Sequence, residues 1–201
     1  MGLAIPQVIT PSKASGAQVI DGSLKFDQAN SQHLTRTFGA GNRKTWTHSS
    51  WVRQGDFGRK KSFFMVGPSS GLSNSNYLSL DFDDNDKLRY AGGGENYKVT
   101  SQVFRDTGWY HVVWTCDTTE AAAVDRTKIY VNGELITDWS TSSSNPTQNY
   151  DLPYNENGVV HRIGTSTPYN GDREWNDAMS QVYFIDGQAL GPDSFGFTDP
   201  L

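Results

Sequence analysis

Cysteine is nearly absent. Cys116 is the single one in 201 residues, so an intrachain disulfide and a Cys-based zinc site are both excluded. Its neighbours place Cys116 on a strand, where a small buried apolar residue is the expected role. Glutamate is scarce as well: Glu95, Glu120, Glu134, Glu156 and Glu174 are all there are, with no two within ten residues of each other. The four histidines, His33, His48, His111 and His161, show neither His-x-His nor His-Glu-x-x-His spacing, which argues against a transition-metal centre. Basic clusters are limited to Arg43-Lys44 and Arg59-Lys60-Lys61 in a chain of net charge −5. A nucleic-acid footprint needs a more concentrated basic surface. No apolar run is long enough to span a membrane as a helix. Met1 to Pro6 lacks the basic and apolar regions of a signal peptide, and Pro6 stands where a myristoylation motif wants Ser or Thr. Asn-x-Ser/Thr acceptors are missing, so nothing points to a eukaryotic secretory route.

Helical periodicity is the next absence. Between Leu24 and Ile185 no amphipathic window runs beyond a turn or two, whereas strand-like runs recur between turn signals. Hydrophobic residues make up only 35%, yet Trp 6, Tyr 9 and Phe 10 supply bulky core material, and 20 glycines suit many turns. The pattern predicts an all-β fold, an antiparallel β-sandwich. Residues 1–20, with Pro6 and Pro11, read as an extended N-terminal arm suited to docking on a neighbouring subunit or left loose. Residues 21–201 read as one domain, a length that sandwiches commonly reach.

Strands are expected at Ser23–Phe26, His33–Phe38, Thr45–Val52, Ser62–Val66, Tyr77–Phe82 and Lys87–Tyr90, then at Trp109–Asp117, Thr127–Ile136, Val159–Gly164 and Ser180–Ile185. Asp83 to Asp86 marks one hairpin turn, and Asn132-Gly133 a second, since both residues tolerate positive φ. Asp138 to Gly158 is expected to be a long loop. Strand alternation assigns Trp46, Trp51, Trp109 and Trp114 to the core, and His111 and His161 read as packed, hydrogen-bonded strand residues.

Trp109, His111, Val112, Thr115 and Asp117, followed by the Ile129-Tyr130-Val131-Asn132-Gly133-Glu134-Leu135 hairpin, resemble the signature of the concanavalin A-like, laminin-G-like jelly rolls. Leu24-Lys25-Phe26-Asp27 and Thr45–Val52 resemble the family's opening strands. Arg162-Ile163-Gly164 and Met179–Ile185 resemble its closing ones. The likeness covers about residues 22–190. The stretch from Phe184 to Gly196 resembles a tail common in jelly-roll proteins of marine bacteriophages. Lectins, glucanases, adhesion modules and virion proteins share this scaffold, so the resemblance implies a fold and leaves the activity open.

The paired glutamates by which jelly-roll glucanases cleave sugars, about 5–5.5 Å apart on one strand, have no counterpart here. No Gly-x-Ser-x-Gly elbow or phosphate loop occurs, and Gly92-Gly93-Gly94 leads into no helix. A non-enzymatic role is expected. Asp81, Asp83 and Asp86, with Asp84, gather hard oxygens of the kind calcium takes, but they also make a good hairpin turn, which is the favoured reading; no other cofactor is implied. Sugars need an aromatic face and a few amide or carboxylate groups. Tyr150 and Tyr154 in one loop, and Tyr169, Asn170, Asp172 and Trp175 in another, are the carbohydrate-binding candidates. Equally, these aromatics would cap the sandwich ends or face a partner. The combined expectation is a virion structural protein of a tailed phage, a capsid or fibre decoration or an adhesin. It would assemble in the host cytoplasm and contact other virion proteins or copies of itself, through residues 1–20, and host-surface glycans. A free-standing extracellular lectin is the alternative, and a glycan hydrolase the third reading.

Overall fold

The computed structural model describes residues 20–73, 75–92, 96–142, 145–166 and 173–196. Among these described residues thirteen strands form two antiparallel sheets. One sheet, of six strands, has the order β1 (Leu24–Lys25), β13 (Ala178–Asp186), β3 (Thr45–Arg53), β8 (Trp109–Asp117), β9 (Thr127–Val131) and β10 (Glu134–Leu135). The other, of seven, runs β11 (Trp139–Ser142), β7 (Asn96–Val103), β6 (Lys87–Gly92), β5 (Leu78–Phe82), β4 (Lys61–Gly67), β12 (Val160–Ile163) and β2 (Leu34–Thr37). Helical structure among the described residues is confined to three single 3-10 turns, at Gln28–Asn30, Ala123–Asp125 and Pro192–Ser194. The all-β antiparallel sandwich expected from the sequence is what forms.

Both turns form as expected. Asn132 and Gly133 take φ of 52° and 86° between β9 and β10, the mirror-image turn whose twist matches its strands. The Asn132 side chain also accepts from the His111 backbone N–H at 2.8 Å, tying the turn to β8. Between β5 and β6, Asp86 has φ of 58°, and Asp83 Oδ1 accepts from the backbone N–H of Asn85 and of Lys87, both at 2.9 Å.

Two strands escaped sequence reading. Asn96–Val103 is β7, in which Tyr97, Val99 and Val103 alternate with polar residues and Lys98 and Thr100 are buried along with Val99. Trp139–Ser142 is β11, inside the stretch expected to be loop. Most of the predicted arm lies outside the described residues.

The core between the sheets is aromatic. Trp46 stacks on Tyr154 with centroids 4.1 Å apart and planes at 13°, and meets Trp114 edge-on at 4.9 Å. Phe63, Phe82 and Trp175 form a second cluster. Such pairs are worth about 0.5–1.5 kcal/mol each beyond the area they bury. Cys116 is buried beside Trp46 and Trp114, and burial pushes its thiol well above the ordinary range. That suits packing rather than reactivity.

Candidate functional site

Period-two alternation sends neighbouring residues of a strand to opposite faces. On β3, Trp46, His48, Ser50 and Val52 point inward, so Trp51 faces out of the six-stranded sheet; Trp109 on β8 pairs with Arg53 and faces out too. The expectation that all four tryptophans are core is therefore corrected. Trp46 and Trp114 are buried, while Trp51 and Trp109, an odd number of residues away on their strands, are half-buried on the outer face.

That face is an aromatic surface. Trp51 stacks on His111 with centroids 4.8 Å apart and planes at 14°. His111 Nε2 hydrogen-bonds Ser49 Oγ at 2.9 Å, and burial lowers its affinity for a proton. Tyr183 is 47% exposed and stacks on Phe195 at 6.1 Å, with Phe195 also edge-on to His111. Tyr130, opposite Val113, shares the face. The register of β13 shifts between Ser180 and Tyr183, where Gln181 takes φ of 47°. The bulge changes the phase of the strand: Met179 before it and Phe184 after it both turn toward the core, leaving Tyr183 outside. The C-terminal residues cross this sheet, with Thr47 Oγ1 donating to the Gln188 carbonyl and accepting from Leu190 N–H, both at 2.7 Å.

A groove opens between the sheets at the edge formed by β1 and β13 on one side and β2 and β12 on the other. Two adjoining cavities of about 510 and 420 Å³ make it up, sharing Leu34, Ile163 and Val182. His48 and His161 line the second. His161 Nδ1 donates to the Val159 carbonyl and its Nε2 accepts from Asn155 N–H. His48 Nε2 meets Ser50 Oγ at 3.2 Å, and its Nδ1 is buried with no partner.

Burial holds these two imidazoles neutral, with pKa values of about 3 for His48 and about 4 for His161 against 6.5 in an unfolded chain. Below pH 6.5 the unfolded chain thus binds protons that the folded one refuses. Stability contributed this way is complete above pH 6.5 and falls as pH drops toward 4. For His48 the loss between pH 7 and pH 5 is about 2 kcal/mol. Urea unfolding at the two pH values measures it, and His48→Phe should remove that share of the difference; equal pH dependence in both proteins would contradict this account.

On the outer face of the seven-stranded sheet, Asp81 takes both oxygens to Arg89, at 2.5 Å to Nε and 2.6 Å to Nη2, with Arg173 Nη1 at 3.9 Å. Asp83 is spent on its turn. Asp86 accepts from Gly58 N–H at 2.8 Å and from Arg105 Nε at 2.7 Å. The three weak calcium candidates therefore serve three different partners, and no group of three or more His, Cys, Asp or Glu among the described residues is arranged to hold a metal.

Of the carbohydrate-binding candidates, Tyr154 and Trp175 are corrected. Both have no exposed surface, so neither ring can meet a sugar. Trp46 of one sheet and Phe64 of the other stack on Tyr154, and Phe63 and Phe82 pack on Trp175, which their polar sequence surroundings concealed. Tyr150 is half-buried, packed against the core edge, and its carbonyl accepts from Thr118 Oγ1. Tyr169, Asn170 and Asp172 lie outside the described residues. The outer aromatic face went unnoticed in the sequence, although counting parity from Trp46 to Trp51 is enough to find it.

Two twisted antiparallel sheets with this strand order define a lectin-type jelly-roll sandwich. The chain belongs to the concanavalin A-like lectin/glucanases superfamily: a laminin G family model of that description matches residues 15–194. Among solved structures it is similar to mouse laminin α1 chain domains LG4-5 (TM-score 0.57, 14% identity, 87% of this chain and 44% of that one). It is also similar to the CBM40 of a Ruminococcus gnavus IT-sialidase bound to α2,3 sialyllactose (0.53, 12%, 86% and 96%). A Trypanosoma rangeli sialidase in complex with the inhibitor DANA is a third (0.57, 15%, 88% and 27%). The chain thus spans about a quarter of that sialidase and under half of the laminin chain. No curated protein sequence matches it.

Proposed function

We propose that this chain is a non-enzymatic glycan-binding module, carried on a bacteriophage particle, that meets its sugar on the outer face of the six-stranded sheet. The observation that carries the reading is the aromatic surface of Trp51, Trp109, Tyr130, Tyr183 and Phe195. Flat rings suit the C–H faces of sugars. Family membership supports the binding class, and a relative of the same fold is the CBM40 bound to α2,3 sialyllactose. The non-enzymatic part rests on the carboxylates. Asp81, Asp83 and Asp86 are committed to structural partners; at Asp56 burial alone would raise the carboxyl, but Arg59 outweighs it and keeps the group ionised. The phage setting rests on the likeness of Phe184–Gly196 to a closing segment common in jelly-roll proteins of marine bacteriophages; on this reading residues 1–20 contact other virion proteins or a second copy.

A glycan array probed with the purified chain should give signal for one sugar class. Tyr183→Ala, a change at an exposed ring that leaves the core untouched, should weaken it about tenfold or more. A silent array, or one indifferent to Tyr183→Ala and Trp109→Ala, would overturn the assignment. Antibody labelling of purified particles tests the location separately, and unlabelled virions would remove the phage setting.

A further inference from the structure

We propose that the outer face of the six-stranded sheet takes an acidic glycan, whose carboxylate or sulfate groups pair with Arg53 and Lys25 beside Trp109. This names the ligand class of the aromatic surface and rests on reading that surface as glycan-binding. Strand register carries the inference. Lys25 on β1 pairs with Ala178 on β13, Ala178 with Arg53 on β3, and Arg53 with Trp109 on β8, so the four stand in one row across the sheet. Met179 and Val52, one residue along β13 and β3, are buried in the core, which turns this row outward. Trp51, two residues before Arg53 on the same strand, stands on the same face in the adjoining row. The surface therefore carries cations among its rings.

Both cations are exposed, and among the described residues neither forms an ion pair. Carboxylates close to them in the chain are engaged in their own loops. Asp27 accepts from the Ala29 N–H and the Asn30 side chain, Asp106 from the Gly108 N–H, and Asp177 from the Gly55 N–H. Arg53 is also positioned. Its Nε donates to the Thr107 carbonyl at 3.0 Å, which holds the guanidinium beside the start of β8 and leaves the two Nη groups as a fork for a planar acid group. Ala178, between the two cations, is too short to cross from one to the other. Two strand spacings set their backbones about 9–10 Å apart, so each can meet a separate acid group on one extended sugar chain.

Charge decides the class. A neutral sugar stacked on Trp109 would leave Arg53 and Lys25 as they are, whereas an acidic one covers the same ring and pairs the fork as well. The chain carries a net charge of −5, so it does not draw polyanions as a whole, and the attraction is local to this row.

The test is an array of polygalacturonate, carrageenan, neutral galactan and glucan, probed with the full chain at low and high salt. Methyl-esterified polygalacturonate and desulfated carrageenan keep the rings and lose the charge, so the first comparison reads a carboxylate and the second a sulfate. At least one acidic polymer should bind about tenfold more tightly than its neutral counterpart, an advantage that shrinks with salt. Arg53→Gln should remove that advantage and Lys25→Gln should reduce it. Arg36→Gln, at an exposed cation on β2 of the other sheet, should leave it intact. Binding to neutral glycans alone, equal binding of each acidic polymer and its neutral counterpart, or an undiminished advantage in Arg53→Gln would overturn the acidic class while leaving the glycan-binding surface standing. Silence towards every glycan would overturn both.

Discussion

Replacing Asp81 by Ala is expected to destabilise the chain by about 3–5 kcal/mol, because it strands the Arg89 guanidinium in a dry site. Asp81 is wholly buried and Arg89 nearly so, and their two parallel hydrogen bonds are the geometry in which a carboxylate and a guanidinium satisfy each other best. Burial alone would lower the Arg89 proton affinity; the Asp81 charge and hydrogen bonds, helped by Tyr97, outweigh it and raise it. Arg173, 3.9 Å from the same carboxylate, would be left as a second cation near the first. A pair of this kind is costly to break and cheap to replace whole. Asp81→Leu combined with Arg89→Leu should therefore recover most of what Asp81→Ala loses. Urea denaturation of the single and double variants separates the terms. A single-variant loss under about 1 kcal/mol would mean that solvent reaches the guanidinium after all.

Gly164→Ala should cost about 3 kcal/mol, while Gly158→Ala, at nearly the same backbone angle, should cost about 1–2 kcal/mol. Both glycines have positive φ, +86° and +78°, where a Cβ is strained. They differ in what surrounds them. A Cβ on Gly158 meets open space, whereas one on Gly164 would lie 2.7 Å from Cδ1 of Phe26, a core ring that is 2% exposed. Gly164 also bridges the sandwich end, its N–H donating to the Phe63 carbonyl and its own carbonyl accepting from Trp175 N–H. Thermal unfolding of the two variants side by side isolates the packing contribution. Equal losses would show that Phe26 moves aside freely.

The outer face and the groove between the sheets sit differently with respect to what a sequence can reveal. The outer aromatic face was legible: five residues separate Trp46 from Trp51, and an odd separation on one strand reverses the face. Reading the four tryptophans as one stripe ignored that arithmetic. Pairing of Asp81 with Arg89 was less legible, since a four-residue turn at Asp83–Asp86 would set Asp81 opposite Leu88, whereas Leu88 pairs with Phe82 and Arg89 with Asp81. The groove was not. Leu34, His48, Ile163 and Val182 come from four strands in two sheets, and nothing local announces that they converge.

What the amino-acid sequence determined by itself is whatever depends on near neighbours: the strands, through period-two alternation; the Asp83–Asp86 and Asn132-Gly133 turns, through φ preference; and the superfamily, through the order of those pieces. The tertiary structure alone decided the availability of the rings that strand parity does not reach. Tyr154 and Trp175 sit among polar residues in the chain, yet Tyr154 is enclosed by rings of both sheets and Trp175 packs on Phe63 and Phe82. Tyr183 is turned outward by a bulge that shifts the register of β13, and His48 is left with an unpaired nitrogen because β4 and β12 complete its surroundings. Burial is a property of all the strands that meet at a point, and no stretch of a few residues contains it.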